Sequence, residues 1–326
     1  MSLDVLCLRP AADFERADAA APVSLRVAYR SPDDIDVPDL MKQARALMIP
    51  AVGPKLPDAL FGGTSVKLVQ VTGAGLDRIS VEILNNSGIP VANVPGGSNS
   101  AIAEYAVTMA SLLLRQFAWA SSEIKSGNYS SFRAQMLSRN LAGLDGLRVG
   151  VIGLGIIGMA VGQAFHNREC PISFYDPAPR DPAGAAAIGG KSLSLDDLLR
   201  SSDVVTLHVP LLDSTKNLIG VRELGLMKAG AILIHASRGG IVDESALAAS
   251  LKSGHLGGAA VDVFSSEPPD TRNALLSLEG EAARRLLLTP HIAGVTRQSA
   301  TFLFRSAWQN VERVLIANES PQNCCN

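Results

Sequence analysis

The stretch that decides the fold is Arg148-Val-Gly-Val-Ile-Gly153-Leu-Gly155-Ile-Ile-Gly158. An apolar run typical of a buried strand leads directly into three glycines that open a helical pattern. The first glycine permits the tight turn, the second lets backbone approach a pyrophosphate, and the third lets the helix pack on the strand. The pyrophosphate would then lie at the helix N-terminus, where free N–H groups favour negative charge. The stretch therefore predicts a dinucleotide site.

A second apolar run strengthens this prediction because it ends in Phe174-Tyr175-Asp176. An acid roughly 20 residues after the glycines is the usual ligand of the adenosine ribose. A carboxylate there would repel a 2′-phosphate, so Asp176 favours NAD over NADP, and Arg180 four residues on could soften that preference. The alternative role of Asp176 is to start a turn before Pro177.

Downstream of the glycines, short apolar runs alternate with helical patterns, which indicates a parallel sheet with helices on both faces. Strands are expected at 148–152, 172–175, 204–209, 231–235, 258–263 and 286–288, and helices at 196–201, 222–227 and 244–253. The first part of the chain repeats the theme less cleanly, with strands expected at 46–49, 66–71 and 89–92. The sequence thus predicts an α/β protein of two Rossmann-like, doubly wound parallel-sheet domains.

The domain boundaries follow from the linker and from the end of the chain. Pro95-Gly-Gly-Ser-Asn99 is the best linker, because it precedes a long helix from about Ser100. A final helix at about 297–317 would return to the first domain. We therefore expect a flavodoxin-like substrate-binding domain of residues 1–98 plus 298–326 and an NAD-binding domain of residues 99–297. A cleft between them would be a favoured binding site.

Composition excludes several function classes. With 29 Lys and Arg against 31 Asp and Glu, the net charge of −2 predicts no general attraction to nucleic acid or to an anionic membrane. The four cysteines form no Cys-x-x-Cys pair, so free thiols in a reducing cytoplasm are expected and no metal is expected. The most apolar segment, 101–120, is interrupted by Glu104 and Arg115 and is expected to form a buried helix, not a membrane span.

Catalytic chemistry depends on one of the five histidines. His291 caps the strand ending at Leu288, where catalytic side chains of open α/β sheets tend to lie. His166 and His255 are expected to be structural, and His208 to line the cofactor cleft. Arg238, Glu267 and Asp262 each have an ordinary alternative: a surface residue in a βα loop, an acid at a helix start and a turn residue at a strand end. The combination of all three at these offsets favours chemistry.

Several blocks carry a resemblance to a known family. They are Ser237-Arg-Gly-Gly-Ile-Val-Asp-Glu-Ser-Ala-Leu, Asp262-Val-Phe-Ser-Ser-Glu-Pro, Thr289-Pro-His-Ile, His208-Val-Pro-Leu and Gly73-Ala-Gly-Leu-Asp. In order and spacing they resemble the signature blocks of the D-isomer-specific 2-hydroxyacid dehydrogenases, over nearly the whole chain. The resemblance implies an enzyme that transfers a hydride between NAD(H) and a small 2-oxo or 2-hydroxy acid.

The resemblance also implies residue roles. Arg238 would grip the substrate carboxylate, His291 would move the proton, and Glu267 would hold the His291 ring and favour its charged form. Asp262 would bind the nicotinamide carboxamide, and backbone around Ala74 and Gly75 would complete the carboxylate pocket. Further implied cofactor contacts are Gly153, Gly155, Ile156, Ile157, Gly158, Asp176, His208, Val209, Pro210, Thr215, Ala236, Ser237, Arg238, His291 and Gly294.

Three positions depart from the family pattern. Ile156 stands where arginine is usual in the glycine loop, and His235 stands where asparagine is common. Ser265 replaces a frequent acid. We expect altered cofactor affinity or substrate shape rather than loss of catalysis.

The substrate is the least determined feature. Relatives that use phosphorylated three-carbon acids often carry an arginine where this chain has Pro50-Ala51, so a glyoxylate- or hydroxypyruvate-like acid is favoured. The alternatives are a 3-phosphoglycerate dehydrogenase-type enzyme and an NADH-sensing binding protein on the same fold. An L-specific dehydrogenase is disfavoured, because its glycine loop would lie near the N-terminus. The resemblance further implies a homodimer formed through the helix region 100–116.

Overall fold

The computed structural model describes residues 3–178 and 180–326. The chain forms two compact units, one of Met1–Ser98 with Val295–Asn326 and the other of Asn99–Gly294. The chain therefore passes from the first unit to the second after Ser98 and returns after Gly294.

The first unit is built on a parallel sheet with the strand order β2-β1-β3-β4-β5. This is the order of flavodoxin-like sheets. The strands are β1 (Leu3–Cys7), β2 (Val27–Tyr29), β3 (Ala44–Ile49), β4 (Leu68–Val71) and β5 (Val91–Ala92). The helices are α1 (Ala11–Arg16), α2 (Val37–Gln43), α3 (Val81–Asn86) and, from the end of the chain, α13 (Arg297–Leu315), with a short 3₁₀ helix at Asp58–Phe61.

Helix α13 belongs to the first unit because its apolar face completes the core there. Its Phe304 and Trp308 rings lie 4.8 and 5.3 Å from the ring of Phe14 in α1. On the same helix, buried Asn310 donates to Gln70 Oε1 of β4 over 2.7 Å, which satisfies two amides inside the core. The helix ends at Leu315, two residues earlier than the sequence predicts.

The second unit is built on a parallel sheet with the order β12-β11-β10-β9-β6-β7-β8. The strands are β6 (Val149–Ile152), β7 (Ile172–Tyr175), β8 (Lys191–Ser192), β9 (Val204–Leu207), β10 (Ile232–His235), β11 (Gly258–Val261) and β12 (Leu286–Leu288). Counted from β6, this is the dinucleotide-binding order 3-2-1-4-5-6 with one strand added at the edge. The order reverses between β6 and β9, and ligands of such sheets bind at that point.

Helices cover both faces of this second sheet, and two apolar clusters fill the layers between. The helices are α4 (Asn99–Arg115), α5 (Phe117–Lys125), α6 (Tyr129–Arg139), α7 (Ile156–His166), α8 (Pro182–Ala187), α9 (Leu195–Ser201), α10 (Val221–Leu226), α11 (Glu244–Ser253) and α12 (Gly280–Ala283). Their ends follow local chemistry. In α11, for example, the Asp243 side chain accepts from the N–H groups of Ser245 and Ala246, and Gly254 ends the helix with φ +75°.

The α/β class with two parallel sheets is confirmed, but several predicted bounds are wrong. The predicted strands 204–209 and 258–263 end at Leu207 and Val261, because the chain turns there to carry functional side chains. The predicted helix 101–120 is interrupted, because Gln116 adopts left-handed φ +54° between α4 and α5. In the part of the chain that the structure describes, no helix has the length and apolar character needed to cross a membrane.

Candidate active site

The glycine loop joins β6 to α7, and a side chain at two of its three glycines would collide with neighbouring atoms. Gly153 has φ +90°, and a Cβ there would lie 2.7 Å from Val209 Cγ1. A Cβ on Gly158 would overlap the carbonyl oxygen of Gly153, whereas a Cβ on Gly155 would meet nothing within 4 Å. The first and third glycines are thus needed for the turn itself. The second leaves open space in front of the helix, as a bound pyrophosphate requires.

Asp176 follows β7 and lies beside this loop. Its side chain is only 2% exposed, and its Oδ2 accepts from Leu154 N over 2.7 Å and from Arg180 Nε over 2.6 Å. Its Oδ1 accepts from Ala178 N over 2.9 Å, which is the turn that the alternative interpretation expected. Burial opposes ionisation, but the hydrogen bonds from Arg180, Ala178 and Leu154 and the charge of Arg180 together lower the pKa of Asp176. The carboxylate is therefore charged and ties the glycine loop to β7.

The residues of this part of the site fit NAD. The open face at Gly155, the N-terminus of α7 and a charged acid after β7 occur in the places where the pyrophosphate and ribose of a dinucleotide bind. Ile156, the first residue of α7, is 63% exposed and brings no charge to the loop. At this position only the backbone N–H can therefore donate to the pyrophosphate.

His291 and Glu267 form the central pair of the candidate active site. His291 Nδ1 lies 2.8 Å from Glu267 Oε2, and the side chains are 23% and 29% exposed. The other oxygen, Oε1, accepts from Phe264 N over 3.1 Å, so the carboxylate is held on both sides. Because a carboxylate accepts from Nδ1–H, this contact selects the imidazole tautomer whose Nε2 can exchange a proton.

His291 is held in an unusual backbone conformation, with φ +55°. Its N–H donates to Asp262 O over 2.8 Å and to Thr289 O over 3.1 Å. Left-handed backbone in a residue other than glycine persists only where the surroundings enforce it, and such residues cluster at functional sites.

Asp262 supplies much of that enforcement. It is 1% exposed; its Oδ1 accepts from Ile292 N over 2.8 Å and its Oδ2 from Ala293 N over 2.8 Å. Oδ1 also accepts from Thr289 Oγ1 over 2.5 Å. The structure thus places Asp262 as the anchor of the loop that carries His291. Its contact with the nicotinamide carboxamide stays a prediction.

Two contributors were missed in the sequence. Thr289 gives its single hydroxyl hydrogen to Asp262, so Tyr105 of α4, whose OH lies 2.8 Å away, donates to Thr289. Burial raises the pKa of Tyr105 to about 12, which keeps this donor protonated. Tyr105 lies 184 positions from Thr289, so no local pattern could have paired them.

Arg238 lies in the loop after β10, the neighbour of β11 in the sheet. Its Nη1 donates to Ser237 O over 2.7 Å. At the next position, a Cβ on Gly239 would overlap the carbonyl oxygen of Phe264. The loop that carries Arg238 therefore lies directly on the segment that carries Glu267. Arg238, Asp262 and His291 follow the adjacent strands β10, β11 and β12, so they emerge at the same edge of the sheet.

The other residues predicted to contact the cofactor or the substrate differ in their exposure to solvent. Val209 and Ser237 are buried, while Pro210 is exposed; Ile157, Ala236 and Gly294 are half-buried. The Thr215 hydroxyl donates to Pro210 O over 2.6 Å and accepts from Leu212 N over 2.8 Å, so it shapes its own loop. In the first unit, exposed Ala74 and half-buried Gly75 follow β4, and Asn93 Nδ2 donates to Ala74 O over 2.8 Å.

Two histidines lie at the carboxyl ends of neighbouring strands; His235 is buried, and His208 is half-buried with its Nδ1 shielded from solvent. His208 Nε2 lies 2.8 Å from Thr206 Oγ1, and His235 Nδ1 lies 3.3 Å from Ser237 Oγ. Their other ring nitrogens are buried without a partner among the described residues. Burial, with the charge of His235, lowers the pKa of His208 to about 3, and burial lowers the pKa of His235 to about 4. Both rings are therefore neutral near pH 7 and are not proton donors there.

These two rings make folding stability depend on pH. Because the folded pKa values of about 3 and about 4 lie below the ordinary 6.5, the unfolded chain binds more protons. Their contribution is complete above the ordinary value and is lost as pH falls toward the folded values. At about pH 5, protonation linked to each ring should lower the free energy of unfolding by roughly 2 kcal/mol relative to neutral pH.

Urea denaturation at about pH 7.5 and about pH 5 measures this loss. His235→Asn should remove about half of the difference, whereas His166→Asn, at an exposed position, should leave it unchanged. An equal pH dependence in the parent and in His235→Asn would contradict the assignment.

Known proteins share both the sequence pattern and the fold of this chain. Residues 107–293 match the family model described as D-isomer specific 2-hydroxyacid dehydrogenase, NAD binding domain. The (S)-sulfolactate dehydrogenase of Chromohalobacter salexigens is 36% identical over 243 residues, which is 74% of either chain. The D-3-phosphoglycerate dehydrogenase of Archaeoglobus fulgidus is 37% identical over 242 residues, 74% of this chain and 44% of that protein. The chain thus spans less than half the length of the latter relative.

Solved structures share the fold of this chain. The TT0316 protein from Thermus thermophilus superposes with a TM-score of 0.84 at 26% identity and covers 99% of this chain and 100% of that one. The holo form of Rhodotorula graminis D-mandelate dehydrogenase gives 0.84 at 22% identity, covering 100% of this chain and 98% of that one, and shows the fold alone. The chain belongs to the D-isomer-specific 2-hydroxyacid dehydrogenase family. It carries that family's NAD-binding domain, which confirms NAD as its cofactor.

Proposed function

We propose that the protein is an NAD-dependent D-2-hydroxyacid dehydrogenase that interconverts a small 2-oxo acid and its 2-hydroxy acid. The observation that carries this proposal is the 2.8 Å hydrogen bond between His291 and Glu267, on a histidine that is held with φ +55° and emerges at the same edge of the sheet as Arg238. The favoured substrate is a glyoxylate- or hydroxypyruvate-like acid. Residues Ala74 and Gly75 of the first unit would serve the substrate, and the second unit would hold the cofactor.

The chemistry needs a proton, a carboxylate clamp and a hydride. NAD, when bound, supplies the hydride that adds to the 2-oxo carbon. His291 gives its Nε2 proton to the oxygen that becomes the hydroxyl, and in the reverse direction it takes that proton back. Glu267 keeps the ring oriented through its hydrogen bond to Nδ1. The planar guanidinium of Arg238 suits the substrate carboxylate, which it would orient by two parallel hydrogen bonds.

Two alternatives stay open. A 3-phosphoglycerate dehydrogenase-type activity is supported by the name of the Archaeoglobus relative, and the Chromohalobacter relative is named for another three-carbon acid with a second anionic group. An NADH-sensing binding protein is disfavoured by the His291–Glu267 pair, because a sensor has no need to orient a proton donor.

We also propose a homodimer in the cytoplasm. Helices α5 and α6 bury no residue, and four of their large apolar side chains are more than half exposed: Phe117, Ile124, Tyr129 and Leu137. These helices directly follow α4, which contains the predicted dimer region, so a second copy would cover them. Free cysteines, of which Cys7 and Cys170 are buried, support a reducing compartment.

The deciding experiment follows NADH absorbance with a panel of 2-oxo acids: glyoxylate, hydroxypyruvate, phosphohydroxypyruvate, sulfopyruvate and branched members. We expect turnover of one or two acids and, where the 2-hydroxy product is chiral, oxidation of its D-isomer alone in reverse. NADH binding without turnover of any acid in either direction would reject the dehydrogenase and favour the sensor. Sedimentation equilibrium on the same preparation tests the dimer, and a monomer at micromolar concentration would reject it.

A further inference from the structure

Asp176, the acid expected to bind the adenosine ribose, is already paired with a cationic side chain. Arg180 Nε donates to Asp176 Oδ2 over 2.6 Å, and Leu154 N donates to the same oxygen over 2.7 Å. Oδ1 is engaged by Ala178 N over 2.9 Å. Three donors therefore occupy a carboxylate that is 2% exposed, and little of its acceptor capacity faces outward.

The pairing changes the charge of this corner of the site. An unpaired carboxylate repels the 2′-phosphate of NADP, which is how an acid after this strand selects NAD. With Arg180 bound to it, the pair is formally neutral. The next acid, Asp181, points elsewhere, because its side chain accepts from Ala183 N and Gly184 N at the start of α8.

Part of the Arg180 guanidinium is available to a ligand. Only its Nε is engaged, its side chain is 36% exposed, and its terminal Nη groups hydrogen-bond to nothing in residues 3–178 and 180–326. A guanidinium oriented through Nε by a buried carboxylate presents its Nη edge as a fork that matches a phosphate. The buried acid thus serves to hold the arginine at the ribose position.

We propose that Arg180 makes the adenosine-ribose end of the site accept a 2′-phosphate, so that the protein binds NADP(H) as well as NAD(H). This rests on the NAD-binding domain, and it concerns binding alone, so it can fail or succeed whatever the substrate proves to be. NADP(H) would use the Nη fork directly. NAD(H) would use the space at Gly155 and whatever capacity Asp176 retains.

Titration of protein fluorescence with NADH and with NADPH, in the absence of any 2-oxo or 2-hydroxy acid, tests the proposal. In the parent the two dissociation constants should differ by less than about tenfold. Arg180→Ala should weaken NADPH by about 10- to 100-fold, the range of one or two lost charge-assisted hydrogen bonds. NADH affinity should stay the same or rise, because Asp176 is released. The fragments 2′,5′-ADP and ADP, titrated against the same variants, should reproduce this split and place it at the ribose end.

A matched control is Arg200→Ala. Arg200 also pairs with an acid four residues away, Asp196, but it lies on α9, which leads to the start of β9 and so to the opposite edge of the sheet. It should alter neither constant. Parent protein that binds NADPH more than about tenfold more weakly than NADH would overturn the proposal. So would an Arg180→Ala variant in which both dinucleotides weaken equally, since that would give Arg180 a purely structural role.

Discussion

Replacing His291 by asparagine should lower kcat by about 10²- to 10⁴-fold, the range for loss of a positioned acid–base group. Asparagine is the sharpest substitution, because it tolerates the φ of +55° at this position but cannot transfer a proton near pH 7. Steady-state kinetics on the best acid of the panel, with NADH affinity from fluorescence, separates catalysis from binding. NADH affinity should change little, since the backbone N–H of residue 291 still donates to Asp262 O.

The control for this prediction is His166→Asn, in which an exposed histidine at the end of α7 is changed in the same way. It should keep parent turnover and parent thermal stability. If His291→Asn retained the kcat of the parent, His291 would not be the proton donor, and the 2.8 Å contact with Glu267 would be structural only.

Gly239→Ala should reduce kcat/KM by roughly 100-fold or more, as expected when reacting groups are displaced by about 1 Å. The added Cβ would overlap the carbonyl oxygen of Phe264 and lie 2.6 Å from Ser265 N, and backbone cannot yield as a flexible side chain can. The Arg238 loop and the Phe264–Glu267 segment must therefore separate, which moves the carboxylate clamp away from the proton donor. NADH affinity should fall much less, because the glycine loop lies elsewhere in the unit.

Gly225→Ala is the matched control, since a Cβ there meets nothing within 4 Å on helix α10. That change should leave kinetics intact and raise stability by about 0.5–1 kcal/mol through helix propensity. Circular dichroism and NADH titration establish that Gly239→Ala is folded. A folded variant with parent kcat/KM would show that the position of the Arg238 loop does not matter.

The dinucleotide half of the site could be predicted because its determinants are local. Gly153, Gly155, Gly158 and Asp176 lie within one βαβ unit, so spacing alone fixes their geometry. The strands that were missed, β1, β2 and β8, are short or weakly patterned; β8 has two exposed residues. Strands are predicted from the alternation of apolar and polar residues, and these strands show little alternation.

The polar network around His291 could not be predicted in the same way. Tyr105, Asp262 and Thr289 meet through hydrogen bonds that span up to 184 positions. Asp262 was expected to touch the cofactor, and the structure gives its oxygens three donors from the His291 loop. Which atom accepts from which depends on packing of α4 on the sheet, and sequence spacing carries no information about that.

By itself the sequence determined the fold class, the family and the cofactor, because glycine spacing and strand-ending acids act over one supersecondary unit. Only the tertiary structure decided that Asp176 is paired with Arg180, that His208 and His235 are neutral rings near pH 7, and that Asp262 anchors the His291 loop. The reason is physical. Charge state and hydrogen-bond partner are properties of the surroundings of a side chain, and those surroundings exist only when distant strands of the sheet have come together.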